Sequence, residues 1–182
     1  MNNDEELVAL AKREPQQFVR LYDKYADRIY RYAQRELGDV AVAQDVVSAT
    51  FEKAFKNLKR FRWRGVSFGA WLYKIARNEM MMYHRQQKRL FPLFTSFFSS
   101  HSVEQTVQKG DEADQVQRAL RRLSRRDQEV LRLIYYEDLS HDEIGEVLGC
   151  SARNVAVRRH RALKRLKKQL SSTSAEVIFD VL

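Results

Sequence analysis

The sequence predicts an all-α protein made of two small helical domains joined by a linker. Three observations predict it. Apolar residues recur at three- and four-residue steps through both ends of the chain. Three helix-start signals follow one another in the C-terminal third. The positive charge also falls into two blocks. Residues 1–89 hold 18 basic and 11 acidic side chains and residues 114–182 hold 14 and 10, while residues 90–113 hold one and three. The expected division is therefore a first domain over 1–89, a linker over 90–113, a second domain over 114–170 and a tail over 171–182.

In the first domain, one helix is expected from Pro15 to Leu37. Pro15 suits a first helical turn and Gly38 suits the residue just past the end. Phe18, Leu21, Tyr22, Tyr25, Ile29 and Tyr32 give this helix an apolar stripe. Asp39 caps a second helix, Val40 to Leu58, with Val47, Phe51, Ala54, Phe55 and Leu58 inward. A loop of alternating basic and aromatic residues, Lys59 to Val66, follows. Ser67 then caps a helix from Phe68 to Lys88, with Phe68, Trp71, Leu72, Ile75, Met82 and Tyr83 on its buried side. In the second domain a helix from Asp114 to Leu123 comes first. Ser124, Ser140 and Ser151 then cap helices over Arg125 to Tyr136, His141 to Leu148 and Ala152 to Leu170. No stretch of useful length has a β period.

Composition narrows the function. The 182 residues carry a formal charge of +9, which suits a polyanionic partner. With 44% hydrophobic residues the chain can fill a core, so wholesale disorder is excluded. The one cysteine, Cys150, excludes an internal disulfide framework, and it is expected in the small core of the second domain. No apolar run approaches the roughly 18 residues of a membrane span, and the acidic N-terminus lacks a secretory h-region, so a soluble cytoplasmic protein is expected. The four histidines (84, 101, 141 and 160) show no metal-ligand spacing, and no Gly-rich phosphate loop occurs. No catalytic residue, metal or cofactor is expected.

Two surfaces suit nucleic acid. Leu148-Gly-Cys-Ser151 is the short Gly-containing turn of a helix-turn-helix, whose second helix reads the major groove with its N-terminal residues. On that helix Val155, Ala162, Leu163, Leu166 and Leu170 point inward. Arg153, Asn154, Arg158, Arg159, His160, Arg161, Lys164 and Arg165 make up the remaining face. Arg pairs with guanine and Asn with adenine, so Arg153, Asn154 and Arg158 suit base edges, while Lys164 and Arg165 suit phosphates. In the first domain Lys74, Arg77, Asn78, Met81, Arg85 and Lys88 fall three or four apart beside the aromatic, basic loop. Such a loop neutralises phosphates and gives unstacked bases a π face. Alternatively, Phe61 and Trp63 belong to the core and the arginines are solvated. The linker starts with Phe91, Leu93, Phe94, Phe97 and Phe98, which either pack back on a flanking domain or dock into a partner.

These features together resemble the bacterial RNA polymerase sigma factors of the extracytoplasmic-function group. The run DVVSATFEKAFKNLKRF and then SFGAWLYKIARNEMMMYHRQQKR resemble sigma region 2, a helical bundle. ALRRLSRRDQEVLRLIYYEDLSHDEIGEVLGCSARNVAVRRHRALKRL resembles region 4, the helix-turn-helix. The resemblance implies a promoter-specificity subunit that catalyses no bond making and binds core polymerase at its clamp and flap. Region 2 would melt the minus-10 element and capture a flipped base with Arg60, Phe61, Arg62, Trp63, Arg64, Lys74, Arg77, Asn78 and Arg85. Region 4 would read the duplex minus-35 element with Ser151, Arg153, Asn154, Val157, Arg158, Arg161 and Lys164. The helix carrying Asp45, Ser48, Ala49, Phe51 and Glu52 would grip the clamp. Ser48 and Ala49 stand where members often carry Gln-Glu, and Ala156 and Val157 where they often carry a basic residue and Ser. Such factors are commonly held by an anti-sigma factor, which nothing in the residues identifies. The competing reading is a helix-turn-helix regulator that binds DNA without polymerase, which would leave Lys74, Arg77, Asn78 and Arg85 unused.

Overall fold

A computed structural model describes residues 3–63, 65–90, 116 and 118–170 of the chain. Arg64, the aromatic linker residues and the tail lie outside the described residues. Two compact units divide between Val103 and Glu104, and no strand occurs among the described residues.

The first unit opens with α1, Asn3–Arg13, a helix the apolar period does not announce. Asp4, Glu5 and Glu6 in its first turn and Lys12 and Arg13 in its last suit the helix dipole. Tertiary contacts fasten it. Val8 and Ala11 are buried, and the buried Asp4 carboxylate accepts from Lys24 Nζ at 2.5 Å and from the Tyr25 hydroxyl. Pro15–Gln17 form a single 3-10 turn, so the long helix expected from Pro15 begins as α2 at Phe18 and runs to Leu37. Gly38 ends it at φ 72°, a left-handed conformation that glycine adopts without a Cβ clash. Asp39 accepts from the Val42 N–H at 3.0 Å and starts α3, Val40–Asn57, which tightens into a 3-10 turn over Leu58–Arg60. Ser67 Oγ accepts from the Ala70 N–H at 3.1 Å and starts α4, Phe68–Leu90.

The core of this unit departs from the period-based reading in one informative way. Leu21, Ile29 and Tyr32 of α2 and Val47, Phe51 and Ala54 of α3 are buried, as the stripes predict, and Ala43 is buried with them. On α4, however, the buried residues are Phe68, Ala70, Leu72, Tyr73, Ala76 and Met80, while Trp71, Ile75 and Tyr83 are half-buried and Met82 is exposed. The small residues explain the rotation. A Cβ on Gly69 would lie 2.9 Å from the Tyr25 ring, so the absence of a side chain there lets α2 and α4 close together. Tyr22 and Phe55, both expected inward, are likewise exposed. Each large apolar side chain that is fully buried contributes about 1.5–3 kcal/mol, so Leu21, Ile29, Phe68 and Leu72 anchor the bundle.

In the second unit residues 118–121 are helical and precede α5, Arg125–Tyr135. α6 is His141–Leu148 and α7 is Ala152–Gln169. All three serine caps form. Ser124 accepts from the Asp127 N–H, Ser151 from the Asn154 N–H, and Ser140 and Glu143 bond reciprocally in a full capping box. Gly149, at φ 67°, makes the turn between α6 and α7. Cys150 is half-exposed in that turn instead of in the core, because its N–H is drawn to the Gly145 carbonyl at 2.9 Å. The core is Leu131, Ala162 and Leu166 against Ala119 and Leu123, with Leu163 and Leu170 packed on its edge. Val130, Leu133, Ile144, Val147 and Val155 are also buried.

Candidate nucleic-acid interface

The outward turn of α4 produces an open bowl. Trp71, Ile75, Asn78, Glu79 and Met82 form one wall, Lys53 and Asn57 of α3 a second, and Arg60 and Phe61 the rim, around a volume of about 500 Å³. Phe61 is itself buried, and its ring is the hub of the aromatic wall. Ring centres lie 5.2 Å from Trp63, 5.4 Å from Phe68 and 4.9 Å from Trp71. Of the two readings open for the loop, the core reading holds for Phe61, while Trp63 is half-exposed. Ile75, Trp71 and Met82 were expected inside, so the sequence reading missed them as lining residues.

The polar groups of the bowl are fixed as well. Lys53 Nζ reaches both oxygens of Glu79, at 2.6 and 2.7 Å, and the Glu79 side chain is only 12% exposed. Asn57 Nδ2 donates to the Lys53 carbonyl at 2.8 Å. Asn78 and Arg85 are exposed, as is Arg60, while Lys74 and Arg77 are half-buried. Arg77 donates to the Met81 sulfur at 3.3 Å. Arg62 folds back on its own loop, donating to the Lys59 carbonyl at 2.7 Å. The structure thus brings Arg60, Phe61 and Asn78 together around one cavity, with the Trp63 ring edge-on to Phe61. It leaves Lys74, Arg77 and Arg85 off the bowl's lining.

On α7, Arg153, Asn154, Arg161 and Lys164 are exposed, Val157 is 39% exposed, and Arg158 is half-buried. Ser151 caps the helix, so its hydroxyl oxygen accepts from the Asn154 N–H with one of its two lone pairs. Two basic residues of the expected outer face are tied inward. Arg159 donates to the Tyr135 hydroxyl at 3.0 and 2.9 Å, and Arg165 pairs with the buried Asp127 carboxylate. Sequence spacing gave no signal for these pairs, which join residues 24 and 38 positions apart.

Of the residues expected to grip the polymerase, Asp45, Ser48 and Glu52 are exposed and Ala49 is half-buried. Glu52 bonds Lys56, whose hydrogen bond and charge hold the carboxyl below its ordinary range. Phe51 is buried, its ring edge-on to Tyr22 at 4.7 Å and Phe18 at 6.3 Å, so it braces the helix from within. Beside Ser48 and Glu52 lies an apolar patch the sequence reading did not assign: Val19 is 56%, Tyr22 43% and Phe55 47% exposed. Phe55 is three residues from Glu52 and seven from Ser48, the spacing that would have flagged it.

Among the described residues no group of His, Cys, Asp and Glu is arranged to hold a metal ion, and no helix is long and apolar enough to cross a membrane.

Residues 21–90 match the sigma-70 region 2 family and residues 113–166 match the sigma-70 region 4 family. The extracytoplasmic-function RNA polymerase sigma factor BldN of Streptomyces coelicolor is 32% identical over 171 residues, which cover 91% of this chain and 65% of that protein. The extracytoplasmic-function RNA polymerase sigma factor SigL of Mycobacterium tuberculosis is 31% identical over 156 residues, covering 82% of this chain and 86% of that protein. Among solved structures, CnrH in complex with the cytosolic domain of CnrY is 25% identical, with a TM-score of 0.65 over 91% of this chain and 95% of that one.

Proposed function

The chain belongs to the extracytoplasmic-function sigma factors, the subunits that bring core RNA polymerase to promoters, and from that premise we propose which of its residues do each part of the work. It is an initiation factor and not an enzyme. The protein directs promoter-specific transcription with residues 1–89 at the clamp and the minus-10 element, 114–170 at the minus-35 element, and 90–113 as the linker.

The bowl is the observation that carries the minus-10 assignment. A base drawn out of a duplex loses stacking and pairing worth a few kcal/mol. Aromatic stacking returns about 1–3 kcal/mol per base, and the half-buried Trp71, backed by the buried Phe61, supplies it here. Asn78 offers both a donor and an acceptor to the base edge. Arg60, Arg62, Arg64, Lys74, Arg77 and Arg85 steer the strand's phosphates, and Trp63 extends the stacking wall. For the minus-35 element, α7 enters the major groove, with Arg153, Asn154 and Arg158 on base edges and Val157 against a thymine methyl. Arg161 and Lys164 meet phosphate, and Ser151 holds the helix start. The clamp lies against Asp45, Ser48, Ala49 and Glu52, with Phe51 bracing them. The exposed Val19, Tyr22 and Phe55 supply apolar contact that compensates for the small side chains of Ser48 and Ala49.

An anti-sigma factor covering the polymerase-binding faces is the partner class to expect, as CnrH is bound by the cytosolic domain of CnrY. Work on polymerase puts the protein in the cytoplasm. A helix-turn-helix regulator acting without polymerase would not need the bowl. The decisive experiment is reconstituted transcription: purified protein added to core polymerase should give specific initiation. Tight promoter binding with no association to core would sink the proposal in favour of that regulator.

A further inference from the structure

The C-terminal end of α1 abuts the loop that walls the bowl. Lys12 Nζ donates to the Phe61 carbonyl at 2.7 Å and stands 5.7 Å from the centre of the Phe61 ring. The Arg62 guanidinium approaches the same carbonyl oxygen at 3.2 Å. Two nitrogens that bond one oxygen stand no more than about 6 Å apart, close enough for like charges to repel. Partial burial, and then the Arg62 charge, push the Lys12 ammonium below its ordinary range. Among the described residues no carboxylate forms an ion pair with either cation. Lys12 is also held in place from a distance, since α1 is fixed by buried Val8, Ala11 and Asp4.

We propose that Lys12 and Arg62 form a seat for one backbone phosphate of the displaced strand, beside the captured base. The inference rests on the base-capture reading and adds to it a residue and one defined phosphate position, because residue 12 lies ahead of the segment matched to region 2. The chemistry fits. An ammonium has three donors and a guanidinium five, so each keeps the Phe61 carbonyl and still reaches a phosphate oxygen. A phosphodiester between them replaces mutual repulsion with two charge-assisted bonds. The Phe61 ring faces the bowl while its carbonyl holds the two cations, so one residue joins the base site to the phosphate site.

The test uses holoenzyme assembled from the full chain and core polymerase, and short non-template strands spanning the minus-10 element. Each strand carries one neutral methylphosphonate in place of a phosphate, moved position by position. Wild type should lose about fivefold to tenfold in affinity at one or two adjacent positions. Lys12→Gln should bind the natural strand more weakly and show no further loss at those positions. Lys12→Arg should restore the wild-type profile. A free anion would give no positional profile, so the scan identifies the backbone as the source. If Lys12→Gln keeps every wild-type penalty while base preference is intact, the seat is wrong and base capture stands. If wild type shows no preference for any base at the captured position, the capture reading fails and the seat falls with it.

Discussion

Replacing Gly145 with alanine puts a carbon where the helix-turn-helix has no room for one. A Cβ there would lie 2.6 Å from the Cys150 carbonyl oxygen, 3.4 Å from the Ala152 nitrogen and 3.5 Å from the Ser151 carbonyl carbon. Carbon and oxygen settle at about 3.3 Å or more, so the turn must open by roughly 0.7 Å. The obstacle is backbone, pinned by the Cys150 N–H on Gly145 and by the Ser151 cap. Alanine gains about 1 kcal/mol of helix propensity over glycine. Forcing an extra carbon into a packed site costs about 1–3 kcal/mol, and this contact is at the severe end. The expected net is a loss of about 2 kcal/mol, large for a domain this small. Both tryptophans, Trp63 and Trp71, are in the first unit. Tryptophan fluorescence therefore follows that unit alone, while far-ultraviolet circular dichroism follows both. Gly145→Ala should lower the dichroism midpoint of the second unit by about 10 °C and leave the fluorescence midpoint unchanged. Gly149→Ala has open space but a φ of 67°, so it should cost only about 1 kcal/mol. A Gly145→Ala chain as stable as wild type, or more stable, would refute the reasoning, because the turn would then have relaxed around the methyl.

Three other outcomes are expected. Asn78→Ala should impair promoter opening, followed by permanganate reactivity of unpaired thymines, more than duplex binding; equal loss in both, or in neither, counts against base capture. Arg153→Ala should relax preference at one or two minus-35 positions by about 1–3 kcal/mol, and unchanged selectivity across an upstream library would remove it from the readers. Phe55→Glu should weaken core polymerase binding at least tenfold with little change in melting temperature, since the ring is nearly half exposed; retained binding would move the clamp contact elsewhere.

What could be read from the sequence depended on how local the cause was. The caps at Asp39, Ser124, Ser140 and Ser151, and the left-handed glycines 38 and 149, were legible because each acts within three or four residues. The face of α4 was not. Size suggested that Trp71, Ile75 and Met82 belong inside, but Gly69, Ala70 and Ala76 bring the helices too close for them. Asn78 was picked out by its spacing, yet the bowl around it follows from that rotation. α1 was missed because its docking depends on Asp4 meeting Lys24 and Tyr25, about twenty residues away. Phe51, read inward from the apolar period and placed by resemblance among the clamp contacts, lies inward, its ring between Phe18 and Tyr22.

The inward pairs of α7 alter how this protein should respond to ionic strength. The helix holds eight basic residues, but Arg165 is neutralised by Asp127 and Arg159 is turned onto Tyr135. Every phosphate neutralised on duplex DNA steepens the fall of log affinity with log salt by about 0.9. Counting cations on the helix therefore overstates that steepness by about two contacts. Upstream-element binding should survive a rise in electrolyte better than so basic a helix suggests.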